Sequence, residues 1–160
     1  MKVAFIIPKN DDQHEQPNQF NQCRIFPPVG LARMAGLMGK QAKISLLDER
    51  ITPDTQHQSV QIAIIFINSY NQHRAVDLAS RYRALGSFVV MTGSMLSNKA
   101  DLPSESADSL FIGSGEEHIP KFLADYQAGK AKPFYRSHTQ AASSDRCNYL
   151  RDESPLRLAS

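Results

Sequence analysis

Hydrophobic positions along this chain fall in short clusters separated by polar stretches, and the clusters alternate between two kinds of spacing. Val3 to Ile7 is an unbroken apolar run ended by Pro8. It is too short for an ordinary helix and apolar at successive positions, which predicts a strand buried on both faces. Ile44 to Leu47 predicts a second strand with Asp48 at its carboxyl end. Ile62 to Ile67 predicts a central third, Phe88 to Met91 a fourth and Leu110 to Ile112 a fifth. Between them the spacing turns helical. A helix is expected from Pro28 to Gly39 with Leu31, Met34, Ala35 and Met38 on one stripe, and another from His73 to Leu85 with Ala75, Leu78, Ala79 and Tyr82 inward and Gly86 closing it. A last helix is expected from Glu117 to Tyr126, with Gly129 just past its end. The stretch from Lys9 to Gln22 is rich in Gln and Asn and has no periodicity, so it reads as a long loop of the kind that serves a function inside a compact domain.

Short buried strands alternating with helices indicate an α/β fold, a three-layer α/β/α sandwich around a parallel sheet. With right-handed crossovers the expected arrangement is a flavodoxin-like five-stranded sheet in the order 2-1-3-4-5. In such folds ligands sit outside the carboxyl ends of the strands. The residues there are Pro8, Lys9 and Asn10; Asn68, Ser69 and Tyr70; Thr92, Gly93 and Ser94; and Gly113, Ser114, Gly115 and Glu116. Small, hydroxylated and flexible residues dominate the last three groups, as suits backbone amides that approach a ligand closely, although tight turns in any parallel sheet ask for the same residues.

Composition narrows the classes. A chain of 160 residues with 41% hydrophobic content can bury one ordinary core. The expected organisation is one domain over residues 1–130 followed by a polar tail or linker over 131–160. The net charge is +2, with 18 Lys and Arg scattered among 16 Asp and Glu, so no footprint for nucleic acid or an anionic membrane is present. Met1 to Pro8 is too short for a signal peptide and no apolar run approaches ~18 residues, which sets the expectation of a cytoplasmic protein without a membrane partner. Cys23 and Cys147 stand apart with no Cys-x-x-Cys pattern and are expected to be reduced thiols. His57, His73, His118 and His138 show no metal-ligand spacing. The third strand ends in Asn68-Ser69 where a phosphoacceptor domain needs Asp. The loop after the first strand lacks the Ser, Thr and Gly of a flavin phosphate loop, and no nucleophile elbow exists. No catalytic residue is assigned, and activity from this chain alone is not expected.

Three runs, "FPPVGLARMAGLMGKQAKISLLDERI", "AIIFINSYNQHRAVDLASRYRALGSFVVMTGSM" and "ADSLFIGSGEEHIPKFLADYQAGK", resemble in order and spacing the cobalamin-binding domain of cobalamin-dependent radical S-adenosylmethionine enzymes. The resemblance spans about residues 2 to 130 and is carried by Pro27, Pro28, Gly30, Leu31, Asp48, Gly93, Gly113, Gly115 and Glu116. It implies a corrinoid cofactor whose nucleotide tail lies in a groove flanked by the first helix, with Pro8, Asn10, Pro28, Gly30, Asn68, Ser69, Tyr70, Thr92, Gly93, Ser94, Gly113, Ser114, Gly115 and Glu116 as candidate cofactor-binding residues. Pro28 suits a first helical turn, where its missing N–H costs nothing.

Two positions depart from the pattern: Ser94 replaces the second glycine after the fourth strand, and Ser114 replaces the first Glu of the turn after the fifth. The radical enzymes continue into a barrel with a Cys-x-x-x-Cys-x-x-Cys triplet, which this chain lacks, so no iron–sulfur cluster belongs to it. Asp12-Gln13-His14 echoes the Asp-x-His loop of corrinoid methyltransferases and mutases, making His14 a candidate cobalt ligand, but with Pro17 where that loop has glycine. The rest of the chain follows the radical-enzyme branch, in which this loop supplies no histidine. Two expectations follow. One is a corrinoid-binding module presenting its cofactor to a separate radical S-adenosylmethionine or methyltransferase partner. The other is a relative that keeps the fold without the cofactor and serves as an interaction or small-molecule-sensing module.

Overall fold

The structure is a computed structural model that describes residues 1–11, 29–52, 58–93, 96 and 106–136. Its elements are β1 (Lys2–Ile7), α1 (Val29–Met38), β2 (Lys43–Asp48), β3 (Ile62–Phe66), α2 (Gln72–Ala84), β4 (Phe88–Thr92), β5 (Ser109–Ile112), α3 (Gly115–Gln127) and β6 (Phe134–Arg136), with a short 3-10 turn, Gly39–Gln41, after α1. All strand pairs are parallel, in the order β2-β1-β3-β4-β5-β6.

Alternation within each strand explains the layers. Val3, Phe5 and Ile7 of β1, Ile62 and Ile64 of β3, Val90 of β4 and Phe111 of β5 share one face and pack under Leu31, Met34 and Met38 of α1 and Ile119, Phe122 and Leu123 of α3. Ala4, Ile6, Ala63, Ile65, Val89 and Met91 share the other face and pack under Ala75, Leu78, Ala79 and Tyr82 of α2. The central strands are apolar throughout because both faces are covered. Helices α1 and α3 lie side by side on one face, and α2 stands on the other.

Helices α2 and α3 stop in the same way. Gly86, at φ +80°, donates to the Arg83 carbonyl while Ser87 donates to that of Tyr82; Gly129, at φ +67°, donates to Tyr126 while Lys130 donates to Asp125. Each pair closes the last turn with a left-handed glycine, as the sequence predicted from Gly86 and Gly129.

Two expectations are corrected. The sheet has six strands rather than five, so the order continues past β5, and the ordered core does not end at residue 130. Strand β6 pairs Phe134, Tyr135 and Arg136 with Leu110, Phe111 and Ile112. Its anchor is Tyr135, buried edge-on to Phe111 at 5.5 Å and Phe122 at 5.6 Å. The Tyr135 hydroxyl donates to Asp125 Oδ2 and accepts the Lys132 N–H, both at 3.0 Å. Among the described residues no helix is long and apolar enough to cross a membrane.

Burial holds the Tyr82 and Tyr135 phenols above their ordinary value of 10.0, with the Glu49 charge adding to the effect at Tyr82. A raised folded-state value means that this stability is complete below about pH 10 and is lost as pH rises through the higher folded-state value. Urea unfolding from about pH 8 to about pH 11 should therefore show stability falling above pH 10. Tyr135→Phe should cost about 1 to 1.5 kcal/mol at pH 8, the net worth of its hydrogen bonds, and make the alkaline fall shallower.

Candidate functional site

The carboxyl ends of β1, β3, β4 and β5 form one edge of the sheet, and most of the residues that sequence singled out gather there. The turn after β3 is built around Asn71, which is 1% exposed. Its Oδ1 accepts the Asn68 N–H at 2.8 Å, and its Nδ2 donates to the Phe66 carbonyl at 3.2 Å. Asn68 Oδ1 in turn accepts the Tyr70 N–H at 2.7 Å, a side-chain turn typical of Asn. This knot pushes Ser69 and Tyr70 outward, where both are exposed.

The exits of β1 and β2 are tied to α2 by charge. Glu49, 1% exposed, receives Arg74 Nε on Oε2 at 2.9 Å and Arg74 Nη2 on Oε1 at 2.6 Å, and its Oε2 also accepts the Lys9 N–H at 3.3 Å. Hydrogen bonding to Glu49 raises the pKa of Arg74 and keeps it cationic. Asp48, the acidic residue expected to matter, is engaged by its neighbour instead. Arg50 forks onto it with Nε to Oδ1 at 2.8 Å and Nη2 to Oδ2 at 2.6 Å. Asp11 reaches the first turn of α2, where its carboxylate accepts the His73 N–H at 3.0 Å and the Arg74 N–H at 2.9 Å, with His73 Nδ1 at 3.2 Å.

On the other half of the edge the contacts are made by small residues. Gly93 has φ +149°, and a Cβ there would lie 1.9 Å from the Ile67 carbonyl oxygen. A Cβ on Gly115 would lie 2.6 Å from Thr92 Oγ1 and 3.2 Å from Met34 Sδ. These glycines let β4 lie against the end of β3, and α3 against β4 and α1. Gly30 faces Glu116, whose Oε1 would be 3.6 Å from an added Cβ, and Glu116 Oε2 holds Arg33 Nε at 3.0 Å. His118, 6% exposed, contacts the Ile112 carbonyl through Nε2 at 3.0 Å beneath the exposed Gly113 and Ser114.

The edge thus joins Gly30 to Glu116, Thr92 to Gly115, and Asn68 to Tyr70, while Pro8 is buried and Asn10 half-buried on the exit of β1. Pro27, Pro28, Ser94, His14, His57, His138, Cys23 and Cys147 lie outside the described residues. Among the described residues no cluster of three or more His, Cys, Asp or Glu is arranged to hold a metal ion. Sequence reasoning passed over Asp11, Glu49, Asn71 and Arg74. The one available signal was the charged triplet Asp48-Glu49-Arg50 at a strand end. Comparison with protein-family models, curated proteins and solved structures found no match to this chain.

Glu49→Gln should cost about 2 to 3 kcal/mol in urea unfolding because it leaves a mostly buried guanidinium with only the half-exposed Asp77 as counter-charge, and adding Arg74→Met should recover part of that loss. Gly93→Ala should destabilise strongly or abolish folding, because the clash is with backbone. Gly36→Ala, in α1 with nothing within 4 Å of the new methyl, should stabilise by about 0.5 to 1 kcal/mol.

Proposed function

We propose that the chain is a corrinoid-binding α/β module that presents cobalamin to a separate radical S-adenosylmethionine or methyltransferase partner. The observation that carries this reading is the rim of the carboxyl edge. Exposed Ser69 and Tyr70 stand on one side, exposed Gly113 and Ser114 on the other, and half-buried Gly93 between them, with α1 and α3 bringing Gly30 and Glu116 alongside. Doubly wound sheets bind ligands at this edge, and small residues with free backbone surface suit a large, flat cofactor.

The residues fit the cofactor at the rim rather than deeper in the sheet. The spaces beside Gly93 and Gly115 are taken by Ile67, Thr92 and Met34, so the contacts offered to a corrinoid come from Ser69, Tyr70, Gly113 and Ser114. Of the two described histidines, His118 is buried against Ile112, while His73 is exposed and meets Asp11 through Nδ1. A bound corrinoid would supply cobalt-centred methyl-group or radical-coupled chemistry, and this chain would bind and orient it.

The same packing beside Gly93 and Gly115 favours a second reading, a module that keeps the fold without the cofactor and serves in interaction or small-molecule sensing. Incubation with hydroxocobalamin, followed by desalting and a visible spectrum, separates the two. Under the first reading the protein retains about one corrinoid per chain with a base-off spectrum, and Ser69→Tyr abolishes retention while leaving far-ultraviolet circular dichroism unchanged, since an exposed side chain can grow without disturbing the core. A parent that retains no corrinoid sinks the first reading and leaves the second.

A further inference from the structure

We infer that Asp11 is a positioning residue of the carboxyl-edge site, acting as a cap supplied to α2 from outside that helix. The inference rests on the corrinoid reading above. It begins with a helix whose own cap residue is occupied elsewhere. Asn71 stands at the N-cap of α2 but makes no side-chain capping bond, because its amide is spent inward on Phe66 and Asn68. The first amides of a helix have no intrahelical partner and need an acceptor. Asp11, 62 positions away in sequence from His73, provides it by accepting the His73 and Arg74 amides on its two carboxylate oxygens.

The cap also acts in the opposite direction. The Asp11 N–H donates to the Tyr70 carbonyl at 2.7 Å, so backbone and side chain together fasten the exit of β1 to the turn that carries Ser69 and Tyr70. Two residues earlier the Lys9 N–H is held by Glu49. Asn10 therefore lies between two fixed points and is set beside the Ser69–Tyr70 rim by contacts it does not make itself. Losing the cap frees one of those points and lets the β1 exit move relative to the rim.

The two amides of α2 take one carboxylate oxygen each, so losing one acceptor and losing both can be told apart. At this position Asn keeps one acceptor oxygen and turns an NH2 donor toward the other amide, and Ala keeps no acceptor. The test measures hydroxocobalamin affinity by absorbance titration, well below each protein's melting point, for the parent, Asp11→Asn and Asp11→Ala. Hydrogen exchange at His73 and Arg74 is followed in parallel. Asp11→Ala should lose about tenfold in affinity with faster exchange at both amides, and Asp11→Asn, which keeps one acceptor, should lose about threefold with faster exchange at one amide only. If Asp11→Ala is too unstable to study, Asp11→Asn decides: a loss of affinity with faster exchange at one of the two amides supports the inference, and parental affinity, or a loss with both amides still protected, overturns it. A folded Asp11→Ala protein with parental affinity also overturns it, since a purely structural cap would lower the melting point alone. A parent that binds no cobalamin overturns the corrinoid reading itself, and the inference falls with it.

Discussion

The carboxylate of Glu49 is closed off from water and held by both arms of the Arg74 guanidinium, and the organisation of one half of the sheet depends on that pair. Taking two charges out of water is costly, and the cost is offset only when geometry is good and the remaining lone pairs are used. Here the fork is bidentate, Lys9 supplies a further N–H to the carboxylate, and Arg74 also reaches Asp77 at 2.7 Å. Three chain segments meet at this point: the exit of β1, the exit of β2 and the first turn of α2. The charge pair joins them at this point, beside the apolar cluster that Ile6, Leu47 and Ala75 share.

The edge is divided as a result. Around β1, β2 and α2 it is closed by the protein's own carboxylates, with Asp11 on the helix amides, Glu49 on Arg74 and Asp48 on Arg50. Around β4, β5, α1 and α3 it is closed by glycines that allow backbone and side chains to touch, and what remains outward is a rim of small residues. A ligand arriving at the first half must compete with bonded carboxylates. At the second half it meets backbone and hydroxyl groups at little desolvation cost. That asymmetry is the physical reason for placing the candidate site over Ser69, Gly93 and Gly113.

What could be read from the sequence follows from how local each signal is. The run Ile62 to Ile67 and the stripe Ala75, Leu78, Ala79 and Tyr82 gave a central strand and a buried helical face, because burial on both sides of a strand or along one side of a helix leaves a periodic trace. Strand β6 left none. Three residues are too few for a period, and Tyr135 is recognisable as an anchor only once Phe111 and Phe122 are beside it. Gly93 was legible as a position that needs glycine, but its neighbour, the Ile67 carbonyl, lies just past the end of β3. The Asp11 cap and the Glu49–Arg74 fork join residues 63 and 25 positions apart, and nothing in a polar stretch says which carboxylate will find which cation.

Strand β2 explains why a buried charge is tolerated at all. It ends the sheet among the described residues, its side chains are largely open to solvent, and Leu46 is 61% exposed. On so exposed a strand only Ile44 and Leu47 pack on the core, so apolar burial favours the observed register on β1 through few contacts. Glu49 follows immediately after this strand, and its N–H donates to the Ile7 carbonyl at 3.0 Å, the next rung after the pairing of Ile7 with Asp48. In the observed register its carboxylate meets Arg74; one residue either way brings Asp48 or Arg50 to that place, and the guanidinium then faces a shorter acid or a like charge. The ion pair thus adds a polar contact specific to the register that Ile44 and Leu47 favour, and with Lys9 it ties the β1 exit beside the candidate site.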